Sequence, residues 1–127
     1  MLRNILFTIS LFVAASPLVT PQAHAQQGLD SAIRAVDKTI DDWARAMEFP
    51  MPTTSITLVA VEAQHLHRLV DALQERVEEQ RTRCDDNDFI CGGETLELVV
   101  RLAMLHGDIS TIATMRVASI RALRLAL

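Results

Sequence analysis

Seven apolar residues, Ile56, Val59, Ala63, Leu66, Val70, Leu73 and Val77, follow one another at intervals of three and four. Such a series stays on one side of the chain only in a helix, because a strand would need a period of two. The stripe is narrow, two positions in seven, which suits packing along a neighbouring helix. Glu62, Arg68, Asp71, Glu75, Glu78, Glu79 and Arg81 occupy the remaining surface as a solvated face. Continuing the same count reaches Gln80 and then Cys84, so the first cysteine lies in register with the stripe.

A second series, Leu98, Leu102, Leu105, Ile109 and Ile112, steps by four and three after Gly92-Gly93. Val99, Val100, Met104, Val117, Ile120, Leu123 and Leu125 widen its apolar surface over most of the circumference. A helix this apolar is either central in its bundle or shared with another molecule. The two glycines predict a helix start at Glu94, with Glu94 and Glu97 complementing the positive end of its dipole. Gly107 lies inside the helix, where glycine costs about 1 kcal/mol relative to alanine.

Between the two series runs Cys84-Asp85-Asp86-Asn87-Asp88-Phe89-Ile90-Cys91. Eight residues at the tip of a helical hairpin can bring two sulfurs into bonding range, and an export signal places them in an oxidising compartment, so Cys84 and Cys91 read as one disulfide. That signal is residues 1–25. Arg3 is the basic start, Ile5 to Ala15 an apolar core too short to span a membrane, and Ala23-His24-Ala25 a small-x-small cleavage site. Cleavage after Ala25 would leave one domain, 26–127, in the periplasm or secreted.

In that domain Leu29, Ile33, Val36, Ile40, Trp43 and Met47 form a third seam, ended by Pro50 and Pro52. Thr53, Thr54 or Ser55 can cap the helix that follows. The fold class is therefore all-α: a small three-helix bundle built on a long disulfide-linked hairpin, with helices at about 29–47, 55–83 and 94–125. The first helix, about 28 Å long against more than about 40 Å for each hairpin arm, should leave the cysteine end uncovered. Apolar residues there, Phe89, Leu96, Val99 and Val100, form the candidate interaction surface.

Removing Arg3 from the twelve basic side chains leaves eleven against sixteen acidic, a net charge of −5. Phosphate binding needs a positive face, so nucleic acid is not an expected partner. Arg116, Arg121 and Arg124 make a basic arc on the last helix, read chiefly as dipole complementation at its C-terminus. The sharper alternative, contact with an anionic membrane surface or acidic partner, is the less favoured one.

Signals for chemistry are sparse. The acidic loop 85–88 fails the calcium-loop pattern, since Ile90 and Cys91 fall at its fifth and sixth positions. His65 and His67 point about 160° apart on a helix and cannot share a metal. His67 and Asp71, four apart, are expected to pair locally, and His106 has no assigned partner. Met47 and Met51 are soft donors of the type that holds copper(I), and a methionine with His106 could ligate haem, but neither forms a motif. No nucleophile motif or phosphate-cradling loop is present, so no catalytic residue, metal ligand or cofactor is assigned and an enzyme is not expected. The reading that remains is a non-catalytic exported interaction protein, such as an adaptor, an accessory subunit of an envelope or secretion assembly, or an inhibitor. Its partner is another protein, a second copy of the chain being one candidate. A copper or haem carrier, or a chaperone-like binder of exported proteins, are the alternatives.

Overall fold

The computed structural model describes residues 21–127, with side-chain surroundings from Gln27 onward. Most of the expected signal segment, including its basic start and apolar core, lies outside the described residues. The chain is all-helical: α1 spans Pro21–Ala46, α2 Ile56–Thr82 and α3 Phe89–Ala126, with no strand among the described residues. Cys84 and Cys91 form a disulfide, with Cα atoms 5.8 Å apart, an ordinary separation for that bond.

The seams bury as their spacing requires. α2 buries Val59, Ala63, Leu66, Val70, Leu73, Val77 and Gln80. α1 contributes Leu29, Ile33, Ile40 and Trp43, with Val36 and Met47 partly covered. α3 adds Leu98, Leu102, Leu105, Ile109 and Ile120 to the same core. Contacts between α2 and α3 run in opposite directions along the two helices. Cys84 meets Cys91, His67 meets His106, and Thr54, just before α2, meets Arg124 near the end of α3.

Two caps fix where the later helices start. The Ser55 hydroxyl accepts from the Leu58 amide and opens α2. The Asp88 carboxylate accepts from the Cys91 amide at 3.0 Å and opens α3. α3 therefore starts at Phe89, five residues before the expected Glu94, and Gly92-Gly93 lie inside it. The capping carboxylate at Asp88 satisfies an orphan amide, and that outweighs the helix cost of the two glycines. Glu94 and Glu97 consequently fall beyond the first turn.

The cysteine end is not bare. α1 begins at Pro21 rather than Leu29, and the 21 residues that cleavage after Ala25 would leave in it, 26–46, still run about 32 Å. Leu29 is buried against the core and lines a small groove with Arg76, Gln80 and Arg83. Gln27, Asp30 and Ser31 line another with Glu94, Glu97 and Arg101. Asp30 receives a hydrogen bond from Arg101 at 2.6 Å, linking α1 to α3. Thr95 is fully buried at this level and donates to the Cys91 carbonyl within its own helix. The expectation that no third helix reaches the tip is thereby corrected.

Candidate functional site

Three surfaces carry the residues singled out in the sequence. The first is the outer side of α3. Leu96 and Val100 are about half exposed and Phe89 more so. Val99 is different: it packs partly buried against the core and does not belong to the outer face. The surface runs further than expected, because Met104 is 64% exposed and Gly107, Thr111, Thr114 and Ala118 are exposed as well. At 100° per residue, Phe89, Leu96, Val100, Met104, Gly107, Thr111, Thr114 and Ala118 fall within an arc of about 80°. No charged residue interrupts that arc; Glu97 and Arg121 stand at its edges. α3 also has the length and hydropathy to cross a membrane, judged by composition alone, and 22% of that apolar window is buried in the protein.

The second surface is the arginine arc. Arg116 donates to the carbonyls of Ala44 and Glu48, at and just past the C-terminus of α1. Arg124 donates to the carbonyls of Pro52 and Thr54 in the connection to α2. Two of the three guanidiniums thus serve carbonyls of another helix's end and its turn, where cations are favourable. Arg121 remains exposed.

The third surface was not visible in the sequence as a site. The Nδ1 atoms of His67 on α2 and His106 on α3 lie 2.7 Å apart. Their ring centres are 4.9 Å apart and the planes differ by 22°. With the centres so much further apart than the nitrogens, the nitrogens lie almost on the line between them. The contact is end-on and nearly in-plane, not a face-to-face stack. His106 Nε2 lies 2.9 Å from Asp71 Oδ1, and Ser110 Oγ lies 3.3 Å from His67 Nε2. Asp71 therefore reaches across to His106 instead of pairing locally with His67, because His67 is turned toward α3.

This chain has one consistent proton assignment for the neutral pair. A carboxylate only accepts, so His106 carries its proton on Nε2 and donates it to Asp71. Its Nδ1 is then a lone pair that accepts from the Nδ1–H of His67. The Nε2 of His67 is in turn a lone pair that accepts from the Ser110 hydroxyl. Every proton points the same way, from Ser110 toward Asp71.

Burial, and after it the neighbouring His106, lower the pKa of His67 from its usual 6.5, while Asp71 opposes them. The folded chain thus takes up that proton less readily than the unfolded chain. Stability is therefore at its full value above about pH 6.5 and declines as the pH falls from there toward the lowered folded-state pKa. Thermal melts of the metal-free protein are expected to show a midpoint that drops between about pH 7.5 and 5, with His67→Gln flattening that part of the profile. An equal slope in the variant would contradict this assignment.

Met47 is partly buried against the core, whereas Met51 is 64% exposed; Met51 donates its amide to the Thr54 hydroxyl in the turn. Among the described residues no group of three or more histidine, cysteine or carboxylate side chains is arranged to hold a metal. Compared with protein-family models, curated proteins and solved structures, the chain matches none.

Proposed function

We propose that this chain is a non-catalytic contact protein: exported, trimmed after Ala25, and working as a disulfide-linked helical hairpin braced by α1. The observation that carries the reading is the uncharged arc on the outer side of α3. A monomeric soluble protein rarely leaves a cluster of exposed apolar side chains such as Phe89, Leu96, Val100 and Met104 in water, and such patches mark interaction surfaces. Gly107 adds support. Nothing in the chain lies within 4 Å of the place its Cβ would take, so no internal packing calls for glycine at a position where it costs about 1 kcal/mol. Close approach of another helix from outside would call for it.

The disulfide is consistent with an oxidising compartment, which favours the periplasm or the extracellular space over the cytoplasm. The partner is a protein presenting its own apolar helix face, an adaptor's client, an envelope assembly or a second copy of the chain being the forms it takes. With Arg116 and Arg124 bonded to carbonyls around the α1–α2 connection and Arg101 paired with Asp30, a purely electrostatic partner is disfavoured.

A photo-cross-linking residue at Val100, in the native host, is expected to give a discrete adduct. The same residue at Glu75, on the solvated face of α2, is expected to give none. A product of twice the chain mass identifies self-association, and any other single mass a distinct partner. Equal or absent labelling at the two positions removes the proposal.

A further inference from the structure

We propose that His67 and His106 form a binding site for copper(I), held in two-coordinate linear geometry between their Nδ1 atoms. Two imidazole nitrogens on different helices face each other end-on across 2.7 Å, with the rings inclined by only 22°. That is the disposition of donors around a linear two-coordinate ion, with a proton now in the middle. The outer nitrogens are already held as metal-bound histidines require. A ligating imidazole almost always directs its other N–H to a carboxylate or another polar group, which fixes the ring. Asp71 does this for His106, and Ser110 is in place to do it for His67.

The exchange balances without an added reactant. In the neutral pair the shared proton is on His67 Nδ1. On metal binding it moves to His67 Nε2, where the Ser110 oxygen accepts it, and both Nδ1 lone pairs become free for the ion. No proton is released, and the complex gains the single positive charge of the metal, with the Asp71 carboxylate 2.9 Å from His106 Nε2 as the nearby counter-charge. The nitrogens must separate from 2.7 Å to about twice a metal–nitrogen bond of about 2.0 Å, an opening assigned to rotation of the two half-buried side chains.

The donor set selects the ion. Zinc wants four ligands, usually all from the protein in a closed site, and here two imidazoles stand without a third grouped donor among the described residues. Hard oxygen-seeking cations find no oxygen cage. A monovalent d10 ion is satisfied by two nitrogens alone, and imidazole is a suitable donor for copper. The methionines at 47 and 51 are not part of this site.

The test uses the disulfide-intact protein, made anaerobic with ascorbate, which leaves the cysteines paired, and titrated with copper(I) against a chromophoric copper(I) chelator. One equivalent is expected to bind, with an X-ray absorption edge of linear two-nitrogen coordination. His67→Gln and His106→Gln are each expected to weaken binding more than 100-fold. Asp71→Asn is expected to weaken it by about 10–100-fold, with helical circular dichroism unchanged. Met47→Leu with Met51→Leu is expected to leave it intact. The proposal is overturned by no uptake, by sulfur in the coordination sphere, by loss in the methionine variant alone, or by zinc binding more tightly than copper(I). The absorption spectrum of the unaltered protein decides the coordination even where a histidine variant does not fold.

Discussion

Leu102→Ala is expected to lower the free energy of unfolding by about 3–5 kcal/mol and the melting midpoint by more than about 10 °C. Leu102 is fully buried about a third of the way along α3 and belongs to the core that all three helices share. Truncation there removes apolar contact and leaves a cavity whose walls belong to rigid helices, so collapse can recover little. Leu125→Ala is the matched control. The same chemistry applies, but Leu125 is 88% exposed, and surface changes of this kind stay within about 0.5 kcal/mol. Denaturant unfolding of the two variants measures the contrast. Similar losses in both would mean that the seam of α3 is not where the core lies.

Removing the disulfide is expected to cost about 2–3 kcal/mol, the loop-closure value for eight residues, or roughly 8–20 °C in midpoint. Reduction of the unaltered protein and the double substitution Cys84→Ala with Cys91→Ala are not equivalent measurements. Cys91 is 4% exposed, so its truncation also removes packing, and the double variant should be the less stable of the two. Because α1 reaches this end through Leu29 and the Asp30–Arg101 pair, the loss should be global. Hydrogen exchange that quickened only between residues 80 and 95, with the midpoint unmoved, would show that the tip opens independently and that the disulfide merely closes a loose end.

The three seams were readable because burial on a helix follows a period that apolar side chains write directly into the order of residues. Val59 to Val77, and the continuation to Gln80, needed no knowledge of neighbours. The start of α3 was misread because a pair of glycines is a strong local stop, while the cap that overrides it is a single aspartate among several. The length of α1 was misread for a related reason: Leu29 is its first strongly apolar seam residue, and a helix can begin ahead of its seam.

The histidine pair lay further out of reach, since it depends on how two helices align, and periodicity within one helix is silent on that. A signal did exist. A disulfide pins the register of an antiparallel pair, and stepping seventeen residues back from Cys84 arrives at His67. Seventeen forward from Cys91 arrives at Asp108, with His106 and Ser110 two residues to either side. His67 therefore sits opposite the gap between two residues one turn apart on α3. Counting from the cysteines would have placed the three side chains together.

The bend between α1 and α2 is held by guanidiniums that come from 68 to 72 residues further along the chain. Its last four hydrogen bonds thus wait on the far end of α3. Contacts of such long sequence separation form late, once loop-closure entropy has been met. A nascent chain lacking its final stretch would have only the turn's own Met51–Thr54 hydrogen bonds at that corner. Arrival of Arg116 and Arg124 is what would clamp it from outside.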